Sequence, residues 1–126
     1  MTREVILAKG APTPVGPYSQ GIKANGFIFT AGQLGMNPAT GKLVDGDVVD
    51  QARRALTNLK AVLEQAGSSL EKAVKVTVFL KDINDFKRVN EVYAQFFPSP
   101  PARSAVQVAG LPLGGLIEIE AVALVL

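Results

Sequence analysis

The sequence predicts an α+β fold, a two-layer sandwich of a mainly antiparallel sheet with two helices on one face. Segments rich in β-branched and apolar residues occur near both ends and in the middle of the chain. Two intervening stretches repeat apolar residues at helical spacing, so the order is strands, helix, strand, helix, strands. At 126 residues the chain has the size of one domain, expected to span 1–126. Hydrophobic residues make up 48% and charged ones 19%, which provides a core to bury and excludes global disorder.

Val5 to Ala8 is the first expected strand. Lys9 to Pro17 carries too many Gly and Pro residues for regular structure and forms a loop leading to Tyr18. Ile22 to Ala24 and Phe27 to Ala31 flank Asn25-Gly26, a pair that tolerates the positive φ angles of a tight hairpin. From Gly32 to Gly46, closely spaced Gly35, Asn37, Pro38 and Gly41 suggest a surface excursion of turns, with no metal or phosphate motif.

Asp47 offers an N-cap, and Ala52, Ala55, Leu56, Leu59, Val62, Leu63 and Ala66 trace a helical stripe that Gly67 stops. Val74 to Leu80 is a β-branched strand. Asp82, Asn84 or Asp85 caps a second helix through Phe97, with Phe86, Val89, Val92, Tyr93 and Phe96 or Phe97 as its apolar stripe. Pro98, Pro100 and Pro101 end it. Ser104 to Val108 is a strand, Gly110 to Gly115 a turn region, and Leu116 to Leu126 a long final strand.

That final strand alternates Leu116, Glu118, Glu120, Val122 and Leu124 with Ile117, Ile119, Ala121, Ala123 and Val125, so both its faces are largely apolar. Two helices cover only one face, and the other is expected to pack against another subunit, with loops as the alternative cover.

With no Cys and no His, the chain lacks thiol nucleophiles, disulfides, histidine triads and His- or Cys-ligated metals. Glu, Asp, Lys, Tyr, Ser and backbone groups are left to act as acids, bases and nucleophiles. Thirteen Lys and Arg against 11 Asp and Glu give a net charge of +2, and their scattering argues against a nucleic-acid partner. No run approaches the roughly 18 apolar residues of a membrane span, and the N-terminal apolar stretch is too short for a secretory signal. A cytoplasmic protein without a membrane partner is expected.

Glu118 and Glu120 share one side of an apolar strand, where an ionised carboxylate is costly unless paired. Either is a candidate general base with a raised pKa, and the alternative is a structural ion pair or exposure at a strand end. Arg103 follows the rigid Pro100-Pro101 turn and suits a carboxylate, either a ligand's or that of Glu118 or Glu120. Tyr18, after Gly16-Pro17, is placed to donate to a ligand, to stack over one, or simply to pack its loop. Ala31-Gly32-Gln33 ends a strand at a glycine, where backbone N–H groups approach an anion or the chain merely bends. Arg53-Arg54 and Lys72 with Lys75 read as solvated surface.

Taken together, Gly16-Pro-Tyr-Ser-Gln20, Gly32-Gln33, Val78-Phe-Leu-Lys-Asp82, Asn90 with Tyr93, Phe96-Phe97, Pro101-Ala-Arg-Ser104, Leu111-Pro112 and Ile117-Glu-Ile-Glu-Ala121 resemble the Rid family of reactive-intermediate deaminases, also called the YjgF family. The resemblance runs from about Gly16 to the C-terminus. It implies a chorismate-mutase-like fold and a homotrimer whose sheets form a central barrel, with ligand clefts between subunits. It further implies hydrolysis of 2-imino acids, such as 2-iminobutanoate and 2-iminopropanoate, to 2-keto acids and ammonia. The imines come from pyridoxal-phosphate dehydratases, and the hydrolysis itself uses no cofactor or metal.

Carried over by residue, Arg103 binds the substrate carboxylate with help from the Gly32 N–H. Glu120 positions and activates water, Tyr18 of a neighbouring subunit closes the cleft, and Glu118 is structural. Ala31, Ala105 and Asn90 complete the expected binding set. Ala31 stands where many members have Ser, and Ala105 where well-studied deaminases often have Cys. The competing expectation is a trimer that binds 2-keto acids without turnover. Ribonuclease activity, proposed for relatives, is disfavoured by the missing histidines and the absence of a basic patch, while chaperone action needs exposed apolar surface.

Overall fold

The computed structural model describes residues 2–125; Met1, and Leu126 at the end of the expected last strand, lie outside the described residues. Strand β1 (Glu4–Ile6) pairs antiparallel with β2 (Gly21–Ala24), and β2 with β3 (Phe27–Thr30). Asn25 and Gly26 connect β2 to β3 with φ of 52° and 82°, the two positive values that the hairpin turn requires. The first strand is shorter than expected and starts a residue earlier.

The stretch from Gly32 to Gly46 is not only a surface excursion. It contains β4 (Gln33–Leu34) and a ribbon of β5 (Met36–Asn37) with β6 (Lys42–Leu43), and Gln33, Leu34, Gly35 and Met36 are buried. Asn58 holds this segment against the first helix by donating to the carbonyls of Leu34 (3.2 Å) and Met36 (2.8 Å). Two-residue strands are too short to leave a periodic signal, which is why the turn-forming residues dominated the expectation.

Helix α1 (Val48–Gln65) starts at Asp47, whose carboxylate accepts from the Val49 and Asp50 N–H groups while Asp50 returns a bond to the Asp47 N–H. Strand β7 (Ala73–Leu80) follows. Asp82 then caps a short 3-10 turn at Ile83–Asp85, and α2 (Phe86–Phe96) continues from it. Strands β8 (Ala102–Gln107) and β9 (Ile117–Leu124) complete the chain.

The large sheet runs β1-β2-β3-β9-β7-β8, with β4 also on β9. Among the described residues only β7 and β8 are parallel, joined by the α2 crossover; the other pairs are antiparallel. Leu56, Leu59 and Leu63 of α1 pack with Ile28, Val76, Leu80, Ile117 and Ile119 in one core with no measurable exposure. On β9 the expected alternation holds, Ile117, Ile119, Ala121 and Ala123 being buried and Glu118, Glu120, Val122 and Leu124 only half-buried. The helix-free face also carries exposed Phe29 and Val106. No helix among the described residues is long and apolar enough to cross a membrane.

Candidate active site

Two short strands, β3 and β4, line the same edge of β9 and are interrupted between Thr30 and Gln33. Phe29 faces Val122 and Gln33 faces Ile119, so three residues, Thr30 to Gly32, span the gap that two residues, Glu120 and Ala121, span on β9. This is a β-bulge, a device that bends a strand and frees backbone for a site. The Ala31 N–H turns back to the Gln20 carbonyl (2.8 Å), and the Thr30 hydroxyl accepts from the Ala121 N–H (3.0 Å).

Gly32 lies in the bulge directly under the Glu118 carboxyl. A Cβ at this position would come within 2.6 Å of Cδ and 2.9 Å of Oε1 of Glu118. Glycine is required here for close approach, since no positive φ is involved. The cleft above it, of about 240 Å³, includes Pro12, Val15, Tyr18, Ala31, Met36 and Glu118 in its lining. Tyr18 is half-exposed, and its hydroxyl accepts from the Val15 N–H at 3.3 Å.

The loop bearing Tyr18 is tied down by Gln20, whose side chain is buried. Its Oε1 accepts from the Ala8 N–H (2.6 Å), and its Nε2 donates to the carbonyls of Ala8 (3.1 Å) and Pro12 (2.9 Å). Burial raises the Glu118 carboxyl above its ordinary pKa, and the like charge of Glu120 raises it further. Glu120 occupies the same face, opposite Thr77 of β7.

Arg103 leaves the sheet on the other side. Ala121 of β9 faces Val76 of β7, which faces Arg103 of β8, so the arginine extends a buried row on the helix side. Its Nη1 donates to Asn90 Oδ1 at 2.8 Å, and its guanidinium carbon lies 4.7 Å from the Tyr93 ring centre and 5.2 Å from that of Phe86. Among the described residues it forms no ion pair, so it neutralises neither Glu118 nor Glu120 within the chain. Asn90, Tyr93, Pro101 and Arg103 share a shallow hollow of their own. Ala105, opposite Val78, is on the helix side like Arg103.

The expected site residues therefore form two groups on opposite faces of the sheet. Tyr18, Ala31 and Gly32 meet in the first cleft, with Glu120 beyond it on the same face; Arg103, Asn90 and Ala105 belong to the second group. Glu118, expected to be structural, lines the first cleft.

A family model described as Endoribonuclease L-PSP matches residues 8–125. The chain belongs to this family, the Rid family. A RutC family protein of Pyrococcus horikoshii is 57% identical to this Rid chain over 122 residues, covering 96% of this chain and 97% of the relative. The 2-iminobutanoate/2-iminopropanoate deaminase of Homo sapiens is 50% identical over 125 residues, covering 98% and 91% of the two chains. Among solved structures, that of E. coli TdcF with bound serine superimposes with a TM-score of 0.92 at 46% identity, covering 96% of this chain and 98% of that one.

Proposed function

We propose that this Rid protein is a deaminase that hydrolyses 2-iminobutanoate, 2-iminopropanoate and related 2-imino acids in clefts completed by a neighbouring copy of the chain. Relatives at about half identity across nearly the whole chain carry the names 2-iminobutanoate/2-iminopropanoate deaminase and Reactive Intermediate Deaminase A. The serine held by TdcF supports a ligand of amino-acid size bearing a carboxylate. The observation that carries the reading is the Glu118 carboxyl, half-buried against the Gly32 bulge with its proton affinity raised.

In the reaction the substrate carboxylate docks on Arg103, and the Gly32 N–H contributes a second contact. The iminium carbon is already electrophilic, so the site needs a positioned water and a route for protons. Glu118 takes a proton from water as its oxygen bonds to the iminium carbon, and the C=N double bond becomes a single bond. Glu118 passes that proton to the nitrogen, and the C–N bond breaks with its electron pair leaving on nitrogen. The added hydroxyl gives its proton back to Glu118, which releases it to solvent, as the carbonyl forms and ammonia leaves. One imino acid and one water thus give one 2-keto acid and one ammonia, with no cofactor in the balance. The water-activating role goes to Glu118 in place of Glu120 because Glu118 lines the cleft beside Gly32; Glu120 acts as the like charge that raises it.

Arg103 and Glu118 leave opposite faces of one sheet, so a single chain does not join them. A head-to-tail contact, in which one copy's cleft meets the next copy's Arg103 hollow, closes into a ring. The family resemblance supports a homotrimer with the helix-free, apolar faces lining a central barrel. In the same reading the chain is a single domain acting in the cytoplasm downstream of pyridoxal-phosphate dehydratases.

The test generates 2-iminobutanoate with threonine dehydratase and traps it with semicarbazide. The wild-type protein suppresses the trapped product, and Arg103→Ala and Glu118→Gln lose the suppression while Glu120→Gln keeps most of it. Equal loss in Glu118→Gln and Glu120→Gln removes the distinction between them. No suppression by the assembled wild type across several imines leaves a ligand-binding protein.

A further inference from the structure

Phe86, Asn90 and Tyr93 recur at helical spacing along one face of α2, and Phe97 follows just past its end. At sequence level such a stripe is core, yet only part of it is. Tyr93 and Phe97 are buried, with ring centres 4.6 Å apart, whereas Phe86 is 36% exposed. Across this stripe lies the Arg103 guanidinium, its carbon within 4.7 Å of the Tyr93 ring centre and 5.2 Å of that of Phe86, with one hydrogen bond going to the Asn90 amide oxygen.

We propose that Phe86 and Tyr93 are positioning residues, an aromatic clamp that fixes the Arg103 guanidinium while leaving its positive charge uncancelled for a carboxylate ligand. This rests on the reading of Arg103 as the carboxylate-binding group. An arginine is commonly oriented by Asp or Glu, but such a partner occupies the N–H donors that a substrate carboxylate needs and offsets the charge that attracts it. An aromatic face holds the cation through the ring quadrupole and takes no N–H donor. Asn90, a neutral acceptor, takes one. Guanidinium carries five N–H donors, so most of the fork stays available for a bidentate grip.

Among the described residues the charged end of Arg103 has no ion pair and no hydrogen bond other than that to Asn90. The Tyr93 hydroxyl is buried without a hydrogen-bond partner, so the tyrosine serves here through its ring face and not its oxygen. The edge position of β8 explains why the clamp is needed: among the described residues Arg103 has β7 on one side and no strand on the other.

The experiment measures 2-oxobutanoate binding by calorimetry and imine hydrolysis by trapping, for wild type, Phe86→Leu and Phe86→Trp, each alone and in an Arg103→Lys background. Phe86 is partly exposed, so Phe86→Leu folds, and its thermal midpoint is recorded alongside. Phe86→Leu weakens keto-acid binding about tenfold, which is about 1.4 kcal/mol, and raises KM similarly while kcat changes less than about twofold. Phe86→Trp, which keeps a π face, restores the affinity. In the Arg103→Lys background, where the planar fork is gone, Phe86→Leu adds little.

Equal affinity for Phe86→Leu and wild type, failure of Phe86→Trp to restore it, or an undiminished effect in the Arg103→Lys background each overturns the clamp. Wild-type protein that neither turns over imines nor binds 2-oxobutanoate overturns the underlying functional reading as well. That outcome is distinct from an active wild type whose Phe86 variants behave alike.

Discussion

Gly32→Ala separates catalysis from folding because of what its new methyl would touch. The added Cβ would lie 2.6 Å from Cδ and 2.7 Å from Cγ of Glu118, whereas carbon atoms rest at about 3.5–4.0 Å. The shortfall is about 1 Å, and the atoms that must move are the far end of a flexible side chain. Shifting that carboxyl to another rotamer or slightly off its present one costs about 0.5–1.5 kcal/mol. The thermal midpoint therefore falls by only a few degrees, at about 2–8 °C per kcal/mol for domains of this size range. A misplacement of about 1 Å at a reacting group costs on the order of 10²-fold in rate.

Gly35→Ala is the control, since its Cβ would meet Gln51 Cα at 2.5 Å and Gln51 O at 2.6 Å, both backbone atoms of α1. Overpacking against a helix backbone costs about 1–3 kcal/mol or more. Semicarbazide trapping and a melting curve on each variant give the comparison. The expected pattern is rate loss with near-native stability for Gly32→Ala and stability loss for Gly35→Ala. A Gly32→Ala protein that hydrolyses imines at the wild-type rate refutes the placement of Glu118 in the reacting geometry.

Because the folded Glu118 carboxyl titrates above its ordinary value of 4.5, the folded state binds more protons than the unfolded chain between the two values. Stability accordingly falls as pH rises through that window, and Glu118→Gln flattens the fall in a pH series of melts. The acid limb of kcat/KM follows the same group, and Glu120→Gln, by removing the second cause of the shift, moves that limb to lower pH. Gln20→Leu leaves the Ala8 N–H and the carbonyls of Ala8 and Pro12 without their partner, at about 1–3 kcal/mol, and raises KM by loosening the loop that carries Tyr18; melts and kinetics on one preparation check both. Leu59→Ala, at a position with no exposure, lowers stability by about 2–5 kcal/mol in chemical denaturation while residual native protein keeps its KM.

The hairpin at Asn25-Gly26 and the helix from Asp47 to Gly67 were legible because local chemistry decides them: two positive φ angles in one case, a capping box and an apolar stripe in the other. The parity of β9 was legible for the same reason, since alternation is a property of the strand alone. The position of Glu118 at the Gly32 bulge was not, because Glu118 and Glu120 have the same parity and the family resemblance pointed to Glu120. What distinguishes them is a bulge on a different strand, set by how β3 and β4 register against β9. Arg103 stood out from its Pro-rich approach as suited to a carboxylate, either a ligand's or that of Glu118 or Glu120. Its side of the sheet depends on the parallel pairing of β7 with β8, and no local pattern encodes which residue of β8 faces Val76. Phe86 and Tyr93 were visible as a helical stripe, but an aromatic ring that packs and one that holds a cation have the same spacing.

The division of the site between two faces of one sheet also bears on genetics. A chain lacking Arg103 still brings an intact Glu118 cleft, and a chain lacking Glu118 still brings an intact arginine. In the proposed head-to-tail ring, the two inactive chains mixed in equal amounts and assembled at random form working clefts at about a quarter of the junctions. On that proposed assembly two null alleles partly rescue each other in one cell, and dilution to separated chains silences even the wild type.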